Sequence, residues 1–480
     1  MNTENELQEA TGTRWQPATL IYAILTGGLI LSYLVTQAFD KPNYEYPAPI
    51  ALLRLIAAAM GIYLGKLWKD KGFWLMIAYL AYKAIRIAVK DSNLFFTSQV
   101  SDNLLNGLWV VAGCYALGRV LNISQLKQFL RILAALWTSG TLIHCGLALY
   151  AAWTDQSIPN LSGGSFWGIY WDDRAVIGFV YPTTSGSAMN ISIMVAVCAL
   201  LAIPSKLEKI YFFLSLLIMV LTLGLTDART SYISAATGIS VAIECTVLHT
   251  LFYDRQKNAR FTKKKSVAFR LVSVVCMVLV SISLVLLFNS ITPAFLQVRD
   301  RGDILVPVAK AEEPTQKQGI LNRGFIGRES LSGRDVAWES IIRYLAEEPE
   351  TLLFGDSIQS PMSGPIARNG GYVGHCHNML LQIILESGII GLLFVLLFAV
   401  CVITCAVQLI FGEHVPLWMR VIPAIPISVL VGDLAECFGW FRQWNSQALV
   451  FLFLTTGIIV SIGKKEKYSG KFRCIEKSET

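Results

Sequence analysis

The sequence predicts an all-α, polytopic membrane protein of about twelve transmembrane helices, and three observations carry that prediction. Of its 480 residues 54% are hydrophobic and only 15% charged, with a mean hydropathy of +0.53, too apolar for one soluble domain. Runs of roughly 18 or more mostly apolar residues recur along the chain. Lys and Arg alternate between rich and poor in the connections, as the positive-inside rule requires of a multi-pass chain.

The expected spans centre near residues 28, 58, 80, 112, 142, 193, 217, 241, 279, 394, 425 and 453. The leader before the first carries Glu4, Glu6 and Glu9, whereas a secretory signal opens with positive charge, so that helix reads as retained. One set of connections holds Arg14, Lys66, Lys69, Lys71, Arg119, Lys127, Arg131, Lys206, Lys209, seven basic residues within 255–270, Arg420 and six in 464–480. The short loops opposite hold Lys41, Lys90, Arg174, Arg229 and Arg442. Residues 1–17 and 464–480 are therefore expected as cytoplasmic tails, 18–290 as helices one to nine and 377–463 as helices ten to twelve.

The net charge of +7 is mostly this topology signal. No face interleaves basic and aromatic residues as nucleic-acid binding needs, and the 255–270 loop is expected to meet anionic lipid headgroups. Of ten cysteines, most fall inside spans as small core residues. Only Cys376 and Cys437 are expected near the outer surface, so no disulfide framework is indicated.

The outer side is uneven. Residues 154–183 form a medium loop, and residues 291–376, about 85 in all, form a long one of the kind that is functional or disordered. Within it SGRDVAWESIIRYLAEEP predicts an amphipathic helix over 333–348, opened by a capping box of Ser332 and Asp335, with Trp338, Ile341, Ile342 and Leu345 on its apolar face and Pro349 ending it. Arg334 shares that face, where a charge needs an anionic partner.

Polar residues near spans point to a cavity or a partner. Asp227 and Arg229, in LTLGLTDARTSY, read either as a self-satisfied pair or as an arginine presented to an anion. Arg174, the lone basic residue of the medium loop, reads as a solvated charge or as a further contact to the same anion. His377 and Asn378 precede an apolar run in GHCHNMLLQIILESGIIGLLF, and from position alone the histidine is either a cap or a catalytic base. A metal site from His375 and His377 lacks further ligands at a recognisable spacing. The charge rule, however, assigns three arginines and this histidine to one membrane face.

Four segments together resemble the O-antigen ligase and polysaccharide polymerase superfamily: RAVIGFVYPTTSG (174–186), the TDARTS turn (226–231), SGRDVAW (332–338) followed by Pro349 and Gly355, and HNMLLQIILESGIIGLLF (377–394). The resemblance covers about residues 160–400. It departs from the family pattern at Ala228, where Ser is common, and at Thr230, where Gly is common.

The resemblance implies a bacterial inner-membrane glycosyltransferase with a GT-C-like fold, acting on the outer face on an undecaprenyl-diphosphate-linked oligosaccharide or polysaccharide donor. The acceptor is a glycan, a lipid A core or another lipid-linked molecule. His377 becomes the general base, since neutral imidazole with a reference pKa near 6.5 suits that role. Arg229 and Arg334, with Arg174 second, become the diphosphate clamp, because planar guanidinium forks bind phosphate oxygens bidentately. Asn378, Asp227 and Trp338 support them, and the inverting chemistry expected needs no metal and no cofactor.

A surface-polysaccharide polymerase (O-antigen, capsule or exopolysaccharide) is the leading expectation. A ligase to the lipid A core of lipopolysaccharide and a protein-directed oligosaccharyltransferase use the same residues. A lipid-linked sugar flippase is the reading from another class; it expects inverted repeats and a midplane site, and no such repeat is visible.

Overall fold

The computed structural model describes residues 15–37, 48–90, 104–161, 166–169, 174–179, 182–257, 334–356, 376–412, 415–436 and 446–468, with parts of 272–298. Its helices are α1 Pro17–Gln37, α2 Ala48–Gly65, α3 Lys71–Lys90, α4 Leu104–Val120, α5 Ile123–Thr154, α6 Pro182–Ala202, α7 Lys206–Leu225, α8 Arg229–Lys257, α9 Val278–Phe288, α10 Arg334–Glu347, α11 Pro349–Phe354, α12 Met379–Phe411, α13 Leu417–Arg420, α14 Ala424–Asp433 and α15 Ser446–Tyr468. Each of the twelve expected centres falls on one of them. Seven, namely α1, α3, α5, α6, α7, α8 and α12, are long and apolar enough to cross a membrane.

Helix α6 is buried on nearly every face, which its apolar composition all round requires, and it packs against α5, α7, α8, α14 and α15. The basic connections gather at one end of this bundle. There Arg119 donates to Gly65 O at 2.9 Å and pairs with the buried Asp70 at 2.6 Å, Arg131 pairs with Glu208, and Arg420 donates to the carbonyls of Ile410, Gly412 and Val415. At the opposite end Lys90 pairs with Asp356 at 2.8 Å and Arg86 donates to Gly355 O at 2.9 Å. Among the described residues, the basic connections that hold Arg119, Arg131 and Arg420 thus lie at the opposite end of the helices from Lys90.

Described residues of the medium loop form strands. Ile158–Pro159, Phe166–Ile169 and Ala175–Ile177 form β1, β2 and β3 of an antiparallel sheet in that order, with Trp167 opposite Ile177. Helix α5 is 32 residues long, about 48 Å, and exceeds a bilayer core of ~30 Å, so its last turns have length to spare for carrying the sheet. His144 on α5 stacks on Trp167 and accepts its indole N–H at 3.2 Å.

Helix α10 matches the expected amphipathic segment, although Ser332 of its expected capping box lies outside the described residues. Ile341 and Leu345 are buried with Cys376 and Leu385 in a small cluster apart from the main core. Ile342 is 56% exposed: adjacent helical residues point about 100° apart, so it flanks the stripe and is not part of it. Pro349 ends the segment as expected, by opening α11 as its first residue.

Helix α12 is broken at Gly388, whose φ of 65° and ψ of −174° are not helical. A Cβ there would sit 2.2 Å from Leu353 O, so only glycine lets α11 pass this close. The expected span beginning at Met379 therefore divides into 379–387, against which α11 rests, and 389–411, which is long enough to cross.

Candidate functional site

The segment that carries His377 is held by its neighbours. Asn378 is the N-cap of α12, accepting Leu381 N–H at 3.0 Å, and its amide donates to Leu434 O at 2.8 Å. Because Asn378 is the cap, His377 is not needed for it. His377 instead sits in the left-handed region at φ 47°, a conformation that costs about 1–2 kcal/mol in a residue with a Cβ and persists where neighbours enforce it. Cys376 before it is fixed by two contacts: its N–H donates to Gln382 Oε1 at 2.9 Å, and its O accepts Trp338 Nε1–H at 2.8 Å.

Gln382 is anchored in turn. Its amide donates to Glu386 Oε1 at 2.5 Å, and the other oxygen of Glu386 takes Lys83 Nζ at 2.6 Å, with both charged side chains 6% exposed. One run of polar contacts thus joins α3, α12 and the residue before His377.

The His377 ring meets Glu436, which lies just past α14 and is 1% exposed. Nδ1 is 2.9 Å from Oε2. A carboxylate only accepts, so Nδ1 carries the hydrogen, and in the neutral ring Nε2 is the basic nitrogen. The second oxygen of Glu436 accepts from Arg334, which is the anionic partner the amphipathic helix required. Arg334 also donates to Thr230 Oγ1 at 3.4 Å, so the long outer loop, the TDARTS turn, α12 and the end of α14 converge here.

Arg229 begins α8 beside that threonine. Asp227, 7% exposed and at φ 43°, shapes the turn, and Asp227, Arg229 and Arg174 all act electrostatically on Tyr232. Arg174 enters through β3, whose Ile177 N–H donates to Ser185 Oγ at 3.0 Å, and through the close approach of α6 to the turn: a Cβ on Gly186 would lie 2.3 Å from the Cβ of Ala228. That contact requires glycine at 186, and the bond to Arg334 gives the hydroxyl at 230 a role. All four candidate cations and bases therefore stand at one end of the bundle, with Trp338 and Asn378 as their supports.

Three groups in this site are absent from the sequence-based assignment: Glu436, the Lys83–Glu386 pair and Gln382. Glu436 and Asp433 are the only acids between residues 414 and 463, and Lys83 and Glu386 interrupt apolar runs; these were the available signals. Among the described residues no three His, Cys, Asp or Glu side chains cluster as a metal site. His375, Cys437, Lys41 and Arg442 lie outside those residues.

No curated protein matches the chain. Residues 214–396, which contain Arg229, Arg334 and His377 but neither Arg174 nor Glu436, match the family model described as O-antigen ligase, so this part of the multi-pass membrane chain is similar to the O-antigen ligase/polymerase superfamily.

Proposed function

We propose that this membrane glycan-processing protein is an inverting glycosyltransferase that moves glycan from a polyprenyl-diphosphate donor to an acceptor hydroxyl on the outer face of the bacterial cytoplasmic membrane. The observation that carries the reading is Glu436, which joins the candidate base His377 to the candidate clamp residue Arg334. The proposal includes twelve spans of GT-C-like character, both termini cytoplasmic, and a metal-independent reaction.

The acceptor O–H gives its proton to Nε2 of His377 as its oxygen attacks the anomeric carbon from the face opposite the leaving group. The bond from that carbon to the phosphate oxygen breaks, its electron pair passes to the diphosphate, and configuration inverts. Arg229 and Arg334, with Arg174, neutralise the charge growing on the diphosphate, and donors placed in advance in a site of low dielectric are effective for this. Glu436 stabilises the imidazolium that forms and keeps Nδ1 protonated, as the buried acid of a Ser-His-Asp triad does for its histidine.

A polymerase, which passes the chain to a second lipid-linked repeat unit, is the preferred form, since no feature of the sequence marks a lipid A surface. The test supplies purified protein in detergent with a lipid-diphosphate oligosaccharide and no other acceptor. Chain growth supports the polymerase. Transfer only after lipid A core is added assigns a ligase, and hydrolysis or transport without transfer removes the glycosyltransferase reading.

A further inference from the structure

The end of α3 that holds Lys90 carries a polar stripe that grips the end of α11. Tyr82, Arg86 and Lys90 stand four residues apart and so share one helix face. Tyr82 O–H donates to Phe354 O at 2.9 Å, Arg86 Nη2 donates to Gly355 O at 2.9 Å, and Lys90 Nζ pairs with Asp356 Oδ1 at 2.8 Å. Three successive residues are thus each taken by one side chain of α3. Phe354 O ends α11 without an intrahelical donor, as last-turn carbonyls do. A Cβ on Gly355 would lie 2.4 Å from Ser387 N, so this stretch also runs tightly against α12.

Asp356 joins three helices. Its N–H donates to Leu385 O of α12 at 2.8 Å, its Oδ1 takes Lys90 of α3, and its Oδ2 accepts the Tyr344 O–H of α10 at 2.8 Å. Tyr344 lies about 15 Å along α10 from Arg334. Helix α10 is therefore tied near one end by Arg334 to Glu436 and near the other by Tyr344 to Asp356. Between the ties Trp338 donates to Cys376 O, and Ile341 and Leu345 pack in the small cluster with Cys376 and Leu385. A tilt of about 5° about Ile341 moves the Arg334 Cα, about 10 Å away along the helix, by about 1 Å. A displacement of that size is enough to slow a reaction about 10²-fold.

We propose that Asp356 is a positioning residue for the diphosphate clamp: by tying Tyr344 to α3 and α12 it sets the tilt of α10, and with it the place of the Arg334 guanidinium beside Glu436. The role rests on the glycosyltransferase reading above, and Asp356 acts through α10 without touching substrate. The chemistry needs a carboxylate. Each of its oxygens accepts one donor, from Lys90 and from Tyr344, whereas an amide offers a single acceptor oxygen and turns an N–H towards the other donor. The Lys90 and Asp356 side chains are 27% and 16% exposed, and a partly exposed ion pair contributes modestly to stability. Loss of the tie is therefore separable from loss of the fold.

The experiment uses the full chain in detergent and compares wild type with Asp356→Asn and with Tyr344→Phe, which removes only the hydroxyl that reaches Asp356. Amide hydrogen exchange should quicken in 334–347 in both variants while 389–411 exchanges as in wild type, and the thermal midpoints should stay close to wild type. With a lipid-diphosphate oligosaccharide in the chain-growth assay, kcat should fall about tenfold or more. The donor KM should stay near wild type, the pattern of a contact made in the transition state. Unchanged exchange in 334–347 in both variants, or unchanged kcat in both, overturns the proposal. Quickened exchange throughout the bundle with a lowered thermal midpoint assigns Asp356 to packing and overturns it too. Quickened exchange confined to 334–347, in a protein whose wild type transfers no glycan, upholds the tie of Asp356 to α10 and overturns the glycosyltransferase reading instead.

Discussion

The Nδ1 atom of His377 lies 2.9 Å from Oε2 of Glu436, a carboxylate 1% exposed whose other oxygen is occupied by Arg334. Such a contact fixes the tautomer and the ring plane of a histidine. In the proposed reaction it also gives the imidazolium formed by proton transfer a counter-charge already in place.

Replacing Glu436 should separate that role from a structural one. Glu436→Gln keeps the shape and an oxygen for Arg334 but lets an amide N–H face Nδ1, so we expect the transfer rate to fall by about 10²–10⁴-fold with donor binding near wild type. Glu436→Ala leaves the partly buried Arg334 short of its partner and should in addition cost about 1–3 kcal/mol. His377→Ala should match Glu436→Gln in rate while leaving thermal stability close to wild type, since Asn378 is the cap. A Glu436→Gln protein with full transfer rate would leave the carboxylate a packing role only.

The arginines should tolerate lysine poorly. At Arg229 we expect Arg229→Lys to lose nearly as much activity as Arg229→Ala, because lysine keeps the charge and forfeits the bidentate fork. Arg334→Lys should behave alike, and Arg334→Ala should also lower stability by releasing Glu436. The effect at Arg174 should be smaller. Near-complete activity in Arg229→Lys, read in the chain-growth assay, would favour simple charge neutralisation.

The helices and the end of the bundle that carries the site were legible in the sequence because both rest on local signals: apolar run length for the spans, and loop charge for the ends. The contact of Arg334 with a carboxylate was legible as a need, since a guanidinium on an apolar helix face demands a partner, but the partner was not. Glu436 lies 102 positions from Arg334, and no local pattern announces a pairing of that range. Gly388 shows the other limit. The run 379–411 is apolar on both sides of Gly388 apart from a few polar residues such as Gln382 and Glu386, so no sequence signal marks a break made by the backbone of Leu353.

The grouping of these residues on one membrane face is open to a direct check. Single cysteines placed at Lys206 and at Glu347 of an otherwise cysteine-free protein should react with an impermeant maleimide from opposite sides, because the basic connections and α10 stand at opposite ends of the helices. Labelling of both from one side would break the assignment of α10 and the arginines to the outer face.

The Lys83–Glu386 pair should prove to be a positioning device for the base. Both side chains are 6% exposed, so Lys83→Met leaves a buried, uncompensated carboxylate and should cost about 3–5 kcal/mol. The Lys83→Met/Glu386→Met protein removes both charges, and apolar replacement of a buried ion pair is often neutral for stability. Its thermal midpoint should therefore return towards wild type. Gln382, however, has then lost the acceptor at Glu386 that orients it towards Cys376 N–H, and the segment that holds His377 at positive φ is free to relax. We expect the double variant to bind donor lipid normally and to transfer glycan at least about tenfold more slowly, on the scale that a displaced catalytic group costs. Recovery of both stability and rate would mean that the pair serves the packing of α3 on α12 and nothing more. Recovery of stability alone identifies the run from Lys83 to Cys376 as the support that sets the base.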